Sequence, residues 1–85
     1  MLSDHELARF RQEVARIVRE ERTAQGLSLA IVAERSGLSY QMVSYVEREM
    51  RVPTIDTLLR IALALGVNPA AIIERAVSKA TSRDS

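Results

Sequence analysis

Residues 27–46 read LSLAIVAERSGLSYQMVSYV, and this stretch decides the fold. Ser28 and Ser39 each stand where a hydroxyl can accept from the free amides of a helix start. Leu29, Val32 and Ala33 recur at helical spacing after the first, and Val43 and Val46 after the second. The two short helices so defined are joined only by Glu34-Arg-Ser-Gly-Leu-Ser39. So short a joint makes them cross steeply, which requires a small contact residue and a turn that tolerates positive φ. Ala33 supplies the contact and Gly37 the turn. Val32, Leu38, Val43 and Val46 fill the wedge between the helices.

Upstream, Ser3 and Glu6 form a capping box. Leu7, Phe10, Val14, Ile17 and Val18 then share one face while arginines and glutamates take the others. This predicts a first helix from about Asp4 to Ala24, ending near Gly26. Downstream, Glu49 to Pro53 reads as a loop, because proline disfavours helix in the residue before it. Thr54 caps a fourth helix, with Ile55, Leu58, Leu59, Ala62 and Leu65 on one face and Gly66 as its stop. Asn68-Pro69 opens a fifth through Ile72, Ile73, Ala76 and Val77. No stretch has strand periodicity and no repeat occurs. The expectation is an all-α protein of five helices. One domain covers residues 1–80, its helix-turn-helix lies at about 28–48, and residues 81–85 form a flexible polar tail.

Composition narrows the functional classes. The 85 residues are 47% hydrophobic and 27% charged, a globular balance for one small domain. The absence of cysteine excludes disulfides, thiolate metal sites and thiol nucleophiles, and agrees with a cytoplasmic setting. The longest uncharged apolar run, Ile61 to Val67, falls far short of the roughly 20 residues that span a bilayer, so no membrane is expected. His5 has no second ligand near it, so neither metal nor cofactor is expected. No glycine-rich phosphate loop and no nucleophile–base motif is present, which argues against an enzyme. Twelve Lys and Arg against eleven Asp and Glu leave a net charge of +1, below the surplus usual in nucleic-acid binders. Lys79 apart, every cation is arginine, which serves phosphate, guanine and salt bridges alike.

Gly26-Leu-Ser28, Ala33-Glu-Arg-Ser-Gly37, Ser39, Val43-Ser44, Val46-Glu-Arg48, Arg51, Pro53, Thr57-Leu-Leu-Arg-Ile-Ala62 and Ala64-Leu-Gly-Val67 resemble the Cro/repressor-type (XRE) helix-turn-helix family. The resemblance covers about Arg19 to Glu74. It implies a five-helix, lambda-repressor-like domain whose third helix enters the DNA major groove, usually as a dimer on a two-fold site. The residues agree independently. With Val43 and Val46 inward, Tyr40, Gln41, Ser44, Tyr45 and Arg48 share the opposite face. Gln41 can pair with adenine N6 and N7, Ser44 can donate or accept, and the tyrosines can meet thymine methyls or phosphates. Arg48, Arg51 and Arg35 are the candidate phosphate contacts. The same tyrosines could instead pack on a neighbouring loop, and the arginines could serve a solvated, Glu-balanced surface. The resemblance further implies a structural ion pair of Arg22 with Glu47, tying the first helix to the third.

The chain departs from the family at several positions. Leu29 stands where a phosphate-touching glutamine is usual, and Ala30 and Ile31 continue the apolar run; Leu29 and Ile31 are expected to pack half-buried against the first helix. Glu49 replaces the glycine that normally ends the third helix, and Val52 replaces the asparagine before the loop proline. Backbone amides at the start of the second helix remain available to phosphate. Met42 and Met50 read as adaptable packing beside the groove.

The expected function is a sequence-specific regulator of transcription that binds double-stranded DNA as a homodimer. The alternative is an antitoxin-like or co-regulator module that binds a protein partner through the same fold, motivated by Leu29, Ile31, Val52 and the low net charge. For the dimer surface, Leu63, Ile72, Ile73 and Val77 offer more apolar area than a small core needs. The first helix, through Leu7 and Phe10, is the competing route.

Overall fold

The computed structural model describes residues 1–82. Its elements are α1 (Asp4–Ala24), α2 (Leu29–Ser36), α3 (Tyr40–Glu47), α4 (Ile55–Ala64) and α5 (Pro69–Thr81), with no strand among the described residues. Local chemistry sets each start. The Ser3 hydroxyl accepts from the Glu6 amide while the Glu6 carboxylate accepts from the Ser3 amide. Ser28, Ser39 and Thr54 accept from the amides of Ile31, Met42 and Thr57. Asn68 accepts from Ala70, with Pro69 at the first helical position, where it loses no hydrogen bond.

Every helix contributes to one core. α1 packs along α5, α2 mainly against α3 and α4, and α1 also against α3. Ile17, Val18, Val32, Val43, Val46, Ile61 and Ile72 are fully enclosed. Each such side chain contributes about 1.5–3 kcal/mol relative to exposure in water. Polar ties join α1 and its C-cap to α5 and the end of α4: Arg75 with Glu21 at 2.9 Å, Arg9 donating to the Lys79 carbonyl at 3.1 Å, and Gln25 donating to the Leu65 carbonyl at 2.7 Å. No single helix among the described residues is long and apolar enough to cross a membrane.

The inward faces of α4 and α5 differ from the sequence expectation. Ile55 is 85% exposed and Leu59 is also exposed; the buried seam of α4 is Leu58, Ile61, Ala62 and Leu65. Residues 55, 59 and 63 form their own stripe beside that seam, because each step of four advances only about 40° around a helix. On α5 the seam is Ile72, Ala76 and Ala80. Ile72 is therefore core and leaves the set of apolar surface residues, whereas Leu63, Ile73 and Val77 remain exposed. Ile31 is exposed and Leu29 half-buried, both on the helix that packs on α3 and α4 rather than chiefly on α1. Helix α5 runs through Thr81, the first residue of the expected tail. Residues 83–85 of that tail lie outside the described residues.

Candidate nucleic-acid interface

The joint between α2 and α3 is held from three sides. Gly37 has φ +74°, and its amide and that of Leu38 both donate to the Ala33 carbonyl, at 3.0 and 3.2 Å. The buried Ser36 hydroxyl donates to the same carbonyl and accepts from the Leu38 amide. From α4, Arg60 donates to the Ser36 carbonyl at 3.3 Å, and a Cβ on Gly37 would meet that guanidinium at 3.3 Å. Positive φ and close approach thus both favour glycine. The bracing by Arg60 was not read from sequence, since its partner is 24 residues away.

Helix α3 turns Val43, Val46 and Glu47 into the protein and packs Met42 on the core. Tyr40, Gln41 and Arg48 are exposed, and Ser44 and Tyr45 are half-buried on the same outward stripe. The Gln41 amide donates to the Tyr45 hydroxyl at 2.6 Å, a contact between successive turns. Arg35 comes from the last turn of α2 and Arg51 from the loop after α3, both exposed. Among the described residues, no side-chain hydrogen bond or ion pair engages the guanidinium of Arg35, Arg48 or Arg51, whereas the Arg48 amide donates to the Ser44 carbonyl within α3. Met50 is exposed rather than packed, since the loop carries it away from the core.

Glu47 would place an acid at the end of this face, but it points inward and is 3% exposed. Arg22 donates through Nε to one carboxylate oxygen at 2.7 Å and through Nη2 to the other at 2.9 Å. Its Nη1 donates to the Leu27 carbonyl at 2.8 Å. The Glu47 carboxylate in turn raises the Arg22 pKa above its ordinary value. Arg19 donates to the Glu47 backbone carbonyl at 3.1 Å, a cation at the negative end of α3. Arg19 was missed in the sequence; its signal is the three-residue spacing from Arg22, which puts both on one face of α1.

Glu49 is the one non-glycine residue with positive φ among the described residues, at +60°. Its amide donates to the Val46 carbonyl and the Met50 amide to the Tyr45 carbonyl. The same pair of bonds surrounds Gly26 at the end of α1 and Gly66 at the end of α4. Glu49 therefore makes a glycine-type helix exit with a side chain that disfavours it, at a cost of about 1–2 kcal/mol.

Five helices around one core, with a braced steep turn and a polar outward stripe on the second helix of that turn, define a helix-turn-helix domain. The helix-turn-helix family profile HTH_3 matches residues 18–72, and the chain belongs to this family, in its XRE type. Two Mycobacterium tuberculosis proteins, the uncharacterized HTH-type transcriptional regulators Rv0474 (strain H37Rv) and MT0491 (strain CDC 1551), are each 41% identical over 59 residues. The matched region is 69% of this chain and 42% of those proteins, so the chain spans less than half their length. An uncharacterized HTH-type transcriptional regulator of Sinorhizobium fredii, y4dJ, is 47% identical over 47 residues, 55% of this chain and 61% of that protein. Among solved structures, the restriction-modification controller protein C.AhdI of Aeromonas hydrophila superposes with TM-score 0.70 at 35% identity, covering 76% of this chain and 97% of that one. A point mutant of the controller protein C.Esp1396I has TM-score 0.76 at 24% identity, covers 99% of this chain and 100% of that one, and shows the shared fold.

Proposed function

We propose that the protein is a cytoplasmic, sequence-specific DNA-binding regulator of transcription that acts as a homodimer on a two-fold operator. The observation that carries this reading is the outward face of α3: Tyr40, Gln41, Ser44, Tyr45 and Arg48 are directed away from the core, while Glu47 is turned inward and neutralised by Arg22. In the major groove, Gln41, Ser44, Tyr40 and Tyr45 contact base edges. Arg48, Arg51 and Arg35 hold phosphates, which their freedom from internal partners supports. Amides at the start of α2 add a neutral phosphate contact. Two such helices sit about 34–36 Å apart on successive turns of one DNA face. The apolar residues left exposed on α4 and α5, Leu63, Ile73 and Val77, supply surface for a second copy. No catalytic role is assigned to any residue.

The test is fluorescence anisotropy of labelled DNA from the upstream region of the protein's own gene, titrated at several salt concentrations beside a scrambled duplex. Preference for the upstream DNA with a steep salt dependence is expected, because phosphate contacts release counterions. Salt-insensitive binding, or none to either duplex at low salt, would reject the reading. That outcome would favour a protein-interaction module instead, for which the 63% exposed Val52 and the exposed Ile31 are the supporting observations.

A further inference from the structure

The bond from Gln41 Nε2 to the Tyr45 hydroxyl, 2.6 Å long, is the one hydrogen bond between side chains of the outward stripe among the described residues. Its two ends are held unequally. Tyr45 is half-buried, and its carbonyl accepts from the Met50 amide at 2.8 Å in the exit of α3. Gln41 is exposed, and a free glutamine has several rotatable bonds to lose on binding. A tether to a ring packed one turn further on removes much of that freedom before any ligand arrives.

The donor count decides what the tethered amide can read. A glutamine amide has two N–H donors and one carbonyl acceptor. With one N–H given to Tyr45, one donor and the acceptor remain side by side on the free edge. Adenine alone carries the complement on its own major-groove edge, N7 accepting and N6 donating. Guanine presents two acceptors, N7 and O6, and would need both N–H groups. Cytosine presents a donor and thymine an acceptor, so each leaves one amide group unpaired where water has been expelled. We infer that the Tyr45 hydroxyl is a positioning group that commits Gln41 to adenine, so that two residues of α3 read one A·T pair between them. This rests on the operator-binding reading above and assigns one of its base pairs. The Tyr45 ring keeps its place on the DNA face, while its hydroxyl acts through Gln41.

Tyr45→Phe removes only the hydroxyl, leaving the ring and the packing of α3. The test is anisotropy competition on the full chain, using the upstream duplex and a panel in which each of its base pairs is changed singly. The wild type is expected to lose about tenfold or more when one particular A·T pair is replaced. Gln41→Ala and Tyr45→Phe are each expected to flatten discrimination at that same pair. The double variant should go no further than Gln41→Ala, because the two residues act as a unit. Helical circular dichroism and the salt slope stay unchanged, since no phosphate contact is lost. A merely structural hydroxyl would lower affinity across the whole panel instead. Three results would overturn the assignment: Tyr45→Phe leaves the Gln41-dependent pair as selective as before, Tyr45→Phe flattens a different pair, or the pair read by Gln41 is G·C. In each of these the wild type still prefers the upstream duplex, and the operator-binding reading stands. A wild type indifferent to every base change rejects both.

Discussion

Arg22 and Glu47 face each other fork to fork, with parallel hydrogen bonds of 2.7 and 2.9 Å joining α1 to the end of α3. A buried carboxylate costs several kcal/mol unless paired, so this guanidinium allows an acid in the core beside the outward stripe. Arg22→Ala strands that charge and is expected to cost about 3 kcal/mol, at the lower end for a buried pair because Arg22 is partly exposed. Urea unfolding checks it. The double replacement Arg22→Met with Glu47→Leu is expected to recover much of the loss, since no charge is then left unpaired.

At the exit of α3, Glu49 occupies a conformation that glycine adopts at the ends of α1 and α4. Glu49→Gly is expected to stabilise the fold by about 1 kcal/mol, after the extra chain entropy of glycine is subtracted. The urea midpoint should rise with the slope unchanged. The same change removes an anion next to Arg48, so DNA affinity is expected to rise more at low salt than at high salt.

The division of labour on the proposed DNA face separates two kinds of loss. Gln41→Ala is expected to cost about 1–3 kcal/mol against the preferred operator and to relax discrimination at one base pair. Arg51→Ala is expected to weaken all duplexes alike and to lower the salt slope by about one. Anisotropy on operator and scrambled duplexes distinguishes them. A uniform loss from Gln41→Ala would contradict its assignment.

Acid should reach the Glu13–Arg16 pair on α1. The hydrogen bond from Arg16 holds the Glu13 carboxyl below its ordinary value, burial acting in the opposite sense. The folded chain then binds this proton less readily than the unfolded chain. The contribution is therefore present above the unfolded value and is lost as pH falls through the lowered folded one. The Arg16 side chain is about one-third exposed, so solvent screening limits the pair to under about 1 kcal/mol. Glu13→Gln is expected to be less stable than wild type at neutral pH, and the gap should narrow below about pH 4.

How much of this was legible in the sequence depended on how far each interaction reaches along the chain. Helix starts at Ser3, Ser28, Ser39, Thr54 and Asn68 were readable because each cap bonds an amide two or three residues away. The turn at Gly37 was readable for the same reason. Arg19 and Gln25 were not, because they bond carbonyls 28 and 40 residues distant. The spacing of apolar residues on α4 and α5 gave the helical period but not which stripe faces in. Ile55 and Leu59 therefore read as part of the buried face, and Ile72 as surface, until the packing of α4 on α2 and α5, and of α5 on α1, fixed the phase.

By itself, then, the sequence determined five capped helices, the steep turn and the outward stripe of α3, because local hydrogen bonds and periodicity specify them. Only the tertiary structure decided that Glu49 bears the conformation of a missing glycine, that Ile72 is enclosed, and that Ile55 stands exposed beside the buried seam of α4. Those outcomes depend on how whole helices settle against one another, a balance of burial over the entire core that no local spacing encodes.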